Sequence, residues 1–258
     1  MRCCWIGVLF FACWMAAVAA AADQPWRNLP LIENGNVAAA WKQAGWGKMV
    51  VEGDAIRTEP SEKGLGLLVY TEEKLGNCQI RIVYRPQTPR SNAGVHIRMD
   101  DGILNWVGKD SIAVKRDAKG KLPPEMSAKM KEASDKEEGA WYAVHHGYEV
   151  QIMDSGDQFH RTGSIYSYAP GADLPPTPAG EWRTMIITLD GNLVAVELDG
   201  KVLTRFDSTT KEVPARKQWY EPKREYVRPE IGYIGLQTHD PGDIVYFREV
   251  SVRPLAKP

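Results

Sequence analysis

Short runs in which Val, Ile, Leu, Tyr and Thr alternate with polar residues recur along this chain, separated by Gly, Pro, Asn and Asp. Alternation with a period of two marks a strand that buries one face. On that pattern residues 64–70, 79–84, 94–99, 148–153, 182–189, 193–198, 202–206, 233–237 and 244–252 are predicted to be extended. Asp190-Gly191-Asn192 and Asp199-Gly200 are turn signals, which predict a three-stranded meander over 182–206. Three stretches break the pattern. Residues 117–139 are charged, and Met126, Met130 and Ala133 within them fall at helical spacing, so a short surface helix is predicted over 124–138. Residues 170–180 are proline-rich and predict a loop. Residues 208–229 mix Pro, Lys, Arg and aromatics, and a loop that long tends to line a site or act as a lid.

Many short strands, frequent turns and little helix predict an all-β fold. The expected form is a β-sandwich jelly roll with one concave face and a short inserted helix, with residues 31–46 along its edge. Length agrees: 258 residues suit one large all-β unit, and no linker divides the chain. A formal net charge of −1 gives no reason to expect nucleic acid or an anionic membrane as a partner.

The N-terminus is different in kind. Arg2 supplies a positive start, residues 5–18 are apolar, and Ala20-Ala21-Ala22 offers small residues for cleavage. Residues 1–22 therefore read as a signal peptide, the domain proper as 23–258, and the expected location as secreted or periplasmic, with no membrane contact after cleavage. An uncleaved anchor is the other reading of the same run. A lipid anchor at Cys13 fits less well, because Phe10-Phe11-Ala12 is bulky. Cys3, Cys4 and Cys13 all lie in this leader. The domain keeps Cys78 alone and so forms no internal disulfide. In its strand-like run, Cys78 reads as a buried structural thiol.

Candidate chemistry concentrates on four strand faces. Gly147-Tyr148-Glu149-Val150-Gln151-Ile152-Met153-Asp154 sets Glu149 and Gln151 on one face, with Asp154 just beyond. Asn92-Ala93-Gly94-Val95-His96-Ile97-Arg98 puts His96 and Arg98 on one face. Gln237 and His239 share another, and Thr162-Gly163-Ser164-Ile165-Tyr166 adds Tyr166. Brought together, these groups would supply general bases or oxygen ligands (Glu149, Asp154), proton carriers (His96, His239), a donor fork (Arg98) and bidentate amides for vicinal hydroxyls (Gln151, Gln237). Each has a plainer role: an ion pair for Arg98 with Glu149 or Asp100, a turn cap for Asp154, exposure beside the Asp240-Pro241-Gly242 turn for His239. His145, His146 and His160 read as surface residues, the first two near the rim of the site. No HExxH, GxGxxG, P-loop or nucleophile elbow is present.

At these residues the chain resembles a known family. SNAGVHIR, GYEVQIMD, TGSIY, GEWRTMIITLDGNLVAVELDG and GYIGLQTHDPGDIVYFREVSVRPL are similar to successive blocks of the 3-keto-disaccharide hydrolase domain, over about residues 31–255. The resemblance implies a concanavalin-like jelly roll related to laminarinase-type glycoside hydrolases. Those enzymes carry a carboxylate-rich strand, and Glu149-x-Gln151-x-x-Asp154 has its bulged spacing with Gln in the central place. That Gln argues against a two-carboxylate retaining mechanism. The implied route starts from a sugar already oxidised at C3 by a separate dehydrogenase. A base removes the acidified C2 proton, the C1 substituent leaves, and water can add. The resemblance implies Glu149 or His239 as base, Arg98 or a divalent metal as enolate stabiliser, and Gln151, Gln237, His96, Tyr166 and Asn92 around an oligosaccharide or glycoside. Glu149, His239 and Asp154 are the candidate metal ligands. The chain departs from the family pattern at Asn92-Ala93-Gly94, at Gly76-Asn77-Cys78 and in a long insertion over 102–146, which bears on substrate choice. A non-catalytic carbohydrate-binding jelly roll and an exported interaction domain are the competing readings.

Overall fold

In the computed structural model the described residues are 24–178 and 180–255, so the predicted leader lies outside them. The strands in chain order are β1 (Arg27–Asn28), β2 (Ile32–Glu33), β3 (Asn36–Val37), β4 (Trp41–Gly45), β5 (Lys48–Glu52), β6 (Ala55–Glu59), β7 (Gly66–Leu75) and β8 (Cys78–Pro86). They continue as β9 (Ala93–Met99), β10 (Tyr148–Ile152), β11 (Arg183–Asp190), β12 (Leu193–Leu198), β13 (Lys201–Asp207), β14 (Gly232–Thr238) and β15 (Val245–Pro254). Every predicted extended run falls on one of them. Two antiparallel sheets face each other. The larger runs β13-β12-β11-β8-β15-β6-β5 with β1 on β15, and the smaller runs β10-β9-β14-β7-β4. This is the expected all-β jelly-roll sandwich. The meander β11–β13 is present, and Asp199 and Gly200 take φ of 47° and 81° in its second turn, the left-handed pair that a tight hairpin requires.

Alternation along the smaller sheet decides what sits where. Val95, Ile97, Val150, Ile152, Ile234 and Leu236 point inward and pack on Ile80, Ile82, Met185, Ile187 and Phe247 of the larger sheet. The opposite face is not left to solvent. Leu67, Val69, Met99 and Tyr233 are covered by Ala133, Ala140, Trp141 and Val144 of the insertion. That insertion forms a 3₁₀ turn over Asp101–Trp106 and two helices, Pro124–Asp135 and Ala140–His146. The first matches the predicted helix, with Pro124 in the first turn, where a missing N–H costs nothing. The second has no counterpart in the sequence pattern. Seven residues are too few to display a helical period.

The second helix also corrects the surface reading of two histidines. His145 is fully buried. Its Nε2 lies 3.0 Å from both Oγ and O of Ser134, and its Nδ1 accepts from the Lys223 amide at 3.3 Å. Burial and the neighbouring Lys223 push it down to about 4, so it is a neutral pin at neutral pH. His146 is half-buried, stacked between Tyr142 and Tyr226 at ring separations of 4.0 and 4.1 Å, with Nε2 2.7 Å from Glu137.

Candidate active site

A cavity of about 490 Å³ opens on the outer face of the smaller sheet, beside the helix Ala140–His146. Its floor is laid by register. Glu149 of β10 lies opposite His96 of β9, which lies opposite Gly235 of β14. Gln151 lies opposite Gly94. The side chains of Glu149, Gln151 and Gln237 therefore share one face of the sheet, and all three line the cavity. His96 lies with them, 1% exposed, its Nε2 3.8 Å from Glu149 Oε2 and 3.3 Å from Gln237 Nε2. If the Gln237 amide donates, the ring keeps its proton on Nδ1. Burial holds His96 down at about 4, against the pull of the Ala143 backbone, so it is a neutral imidazole.

Gly94 is what makes room. A Cβ there would stand 2.2 Å from Glu149 Oε1 and 2.7 Å from its Cγ, distances that no packed side chain tolerates. Glycine in this strand is required by the close approach of the carboxylate.

Burial raises the Glu149 carboxyl to about 7, and His239 and the Gln237 amide only partly offset it. His239 lines the same cavity, with Nδ1 3.3 Å from Asp243 and 3.8 Å from Asp240. Burial opposes its charge, but Asp243, Asp240 and Glu149 together hold it above the ordinary imidazole value. Asp243 also reaches a second partner, since its other oxygen accepts from the Asn92 amide at 3.0 Å. Asn92 Oδ1 in turn accepts from Gln151 Nε2 at 2.7 Å. One chain of contacts thus fixes Gln151, Asn92, Asp243 and His239 relative to each other. The side-chain oxygens of Gln151 and Gln237 are buried without a hydrogen-bond partner among the described residues. Unpaired buried amides at a cavity floor are costly and point to a polar ligand that satisfies them.

Segment 162–166 extends the sheet beyond β10. Gln151 N donates to Ser164 O at 3.1 Å and Tyr166 N to Glu149 O at 2.9 Å, which sets Tyr166 against the cavity. Burial and the Glu149 carboxylate raise its phenol well above the ordinary tyrosine range, so it acts as an O–H donor.

Two predicted members stand elsewhere. Strict alternation would put His96 and Arg98 on one face, but β9 carries a bulge: Tyr233 pairs with Met99 and Gly235 with His96, leaving one extra residue on β9. Arg98 absorbs it with φ of 54°, which breaks the alternation after Ile97. Its guanidinium runs into the sandwich, 1% exposed, and donates to the carbonyls of Gly191 and Leu193 at the β11–β12 turn. Asp154 also lies outside the main cavity. It accepts from Thr162 Oγ1 at 2.5 Å and from the Thr177 amide at 2.6 Å, clasping two loops beside a separate hollow of about 120 Å³.

The predicted metal set of Glu149, His239 and Asp154 is thereby split. Among the described residues no three His, Cys, Asp or Glu side chains converge as the ligands of one ion would. The residues present do not fit a side-chain metal cage of that composition. Cys78 is buried, and burial pushes its thiol up to about 12, consistent with a structural role.

Other lining groups carry no signal in the strand pattern. His160 and Asp157 both reach the cavity, joined by a 2.7 Å contact between Nδ1 and Oδ2. Trp141, Met130, Val144, Trp219 and Tyr220 form an apolar side to it. The Asp-Pro-Gly-Asp turn after His239 holds the signal for Asp243, since a carboxylate four residues on returns to the imidazole. Trp219 and Tyr220 lie in the 208–229 loop, whose length predicts a place at a site; Trp141 gives no signal.

Comparison with known proteins adds a family. A family model described as the 3-keto-alpha-glucoside-1,2-lyase-like domain matches residues 26–253. No curated protein sequence matches the chain. Among solved structures, a candidate glycosyl hydrolase from Parabacteroides distasonis superposes with a TM-score of 0.54 at 18% identity, covering 90% of this chain and 100% of that one. A second from the same organism gives 0.52 at 20% identity over 89% and 84%. A Bacillus subtilis protein of unknown function with a galectin-like fold gives 0.53 at 12% identity over 91% and 100%. At such identities these likenesses concern the fold.

Proposed function

Because the chain belongs to the 3-keto-alpha-glucoside-1,2-lyase-like domain family, a family of carbohydrate-acting domains, we propose that it cleaves 3-keto-glycosides by C2 proton abstraction and C1 elimination, with water addition making the net change a hydrolysis. The observation that carries this reading is Glu149: a buried carboxyl raised to about 7, set on the cavity floor beside two amides whose oxygens lack partners among the described residues. A general base is most effective when it titrates near the working pH. A non-catalytic sugar-binding face would gain nothing from such a group.

In this reading Glu149 removes the C2 proton, and the electron pair moves onto the C3 oxygen to give an enolate. Cationic His239 stabilises that charge, a role for which Asp243 and Asp240 keep it protonated. The enolate re-forms the ketone, the C1–C2 double bond forms, and the C1–O bond breaks. The departing oxygen takes a proton from an imidazole lining the cavity, either His239 or His160. The amides of Gln151 and Gln237 and the phenol of Tyr166 hold the sugar hydroxyls. Arg98 has no part, because it points to the other sheet. The oxidised substrate requires a sugar 3-dehydrogenase acting upstream, and the leader at 1–22 supports a secreted or periplasmic setting.

The test is incubation of purified protein with a 3-keto-glucoside and with its unoxidised parent. Release of the aglycone from the keto-sugar alone is expected; no release from it would refute the reading. The pH profile of kcat/KM is expected to be bell-shaped. It rises as pH passes through about 7, where Glu149 ionises, and falls at higher pH as His239 loses its proton. A flat profile across neutrality would remove Glu149 from the base role. Gly94→Ala is expected to displace the carboxylate and lower kcat/KM by roughly 10²-fold, the scale set by a misplacement of about 1 Å. Unchanged kcat/KM in that variant would mean the position of Glu149 does not matter.

A further inference from the structure

We infer that the cavity contains a preformed subsite for an apolar aryl aglycone, built by the insertion and the 208–229 loop; this rests on the 3-keto-glycoside reading of the same site. The cavity of about 490 Å³ is in the range that holds a drug-sized ligand and exceeds the need of one hexose ring. Its lining is divided by chemistry. Glu149, Gln151, Gln237 and His239 come from strands and the residue that follows one, and they suit a sugar. Met130, Trp141, Val144, Trp219 and Tyr220 come from the insertion and the loop.

The second group is one continuous surface. Trp141 and Val144 belong to the apolar cluster over the sheet, with Met130 and Trp219 packed against it. Trp141 and Trp219 rings lie 5.7 Å apart, and Trp219 and Tyr220 rings 5.4 Å apart. Methionine and valine offer hydroxyl groups no useful partner, and a sugar hydroxyl buried on them would lose hydrogen bonds to water. A flat apolar ring would instead find aromatic faces and edges and a polarisable thioether on that surface.

This wall is fixed in place. Ser134 Oγ donates to Trp219 O at 3.4 Å, and the Lys223 amide donates to His145 Nδ1 at 3.3 Å. Glu137 accepts from Tyr226 OH at 2.7 Å and also binds Lys223 and His146. These contacts weld the loop to both helices. The loop is therefore a wall of the cavity, and little ordering remains to be done when a ligand arrives.

Calorimetric titration with phenyl, methyl and glucosyl α-D-glucosides, all unoxidised, tests the inference without requiring turnover. The phenyl glucoside is expected to bind about tenfold or more tightly than the methyl glucoside, as burial of a ring on an apolar wall implies. Met130→Gln and Trp219→Ala are expected to shrink that ratio severalfold. A phenyl-to-methyl ratio near one, or tightest binding by the glucosyl compound, would overturn the inference whether or not either variant folds. The same three compounds oxidised at C3 then separate the two claims. A preserved phenyl preference in binding with no turnover of any keto-sugar would overturn the catalytic reading alone.

Discussion

Glu149→Gln is expected to abolish turnover while making the protein more stable at neutral pH. The loss follows from the base role: removing a positioned general base costs roughly 10²–10⁴-fold in kcat. The gain follows from linkage. The carboxyl titrates near 7 in the folded protein and near 4.5 when unperturbed. Below pH 4.5 it is protonated in both states and contributes nothing. Between 4.5 and 7 the unfolded chain ionises first, so the fold loses stability as pH rises, and above 7 the penalty is constant. At about 1.4 kcal/mol per pH unit, that penalty is on the order of 3 kcal/mol. Glutamine keeps the shape and does not ionise. The Tm of the variant is therefore expected to exceed that of the wild type by roughly 5–10 °C at about pH 8, a gap that closes towards acid pH. Thermal unfolding at several pH values measures it. Equal Tm on the alkaline side would show that the carboxylate is not strained in its pocket.

Arg98→Ala is expected to have the opposite signature, a large loss of stability with the chemistry of the folded fraction intact. The side chain fills a site between the sheets and bonds the carbonyls of Gly191 and Leu193. Truncation leaves a cavity and removes the donors to both carbonyls, at about 3–5 kcal/mol in total. Arg98→Lys restores a charge but lacks the fork that spans two acceptors, so it recovers only part. Denaturant unfolding, together with kcat per folded molecule, distinguishes the outcomes. Normal stability with a collapsed kcat would return Arg98 to the enolate-stabilising role that the family resemblance implies for it.

The contrast between those two residues shows what can be read from sequence. Glu149 is legible because β10 keeps strict alternation: Tyr148, Val150 and Ile152 turn inward, so Glu149 and Gln151 must turn outward. Gln237 and His239 are legible for the same reason on β14 and just past its end. Arg98 is not, because alternation holds only while every residue is paired. The bulge on β9 is visible only in its partner strand, where two steps answer three. Asp154 keeps its expected place in chain order, yet the loops carrying Thr162 and Thr177 claim both its oxygens. Neither contact follows from strand alternation, which ends with β10 before Asp154.

By itself the sequence determined the all-β sandwich, its meander and the strands that carry Glu149, Gln151 and Gln237, because period-two patterning and turn chemistry are local properties of the chain. The tertiary structure alone decided that Arg98 points away and that His145 is a buried pin. It also decided that helix Ala140–His146 adds Trp141 to the cavity wall, and that Trp219 and Tyr220 are the residues of the 208–229 loop that reach it. Most of these depend on contacts between segments tens of residues apart, and such contacts are fixed by how the sheets, helices and loops close on one another rather than by any pattern within one of them.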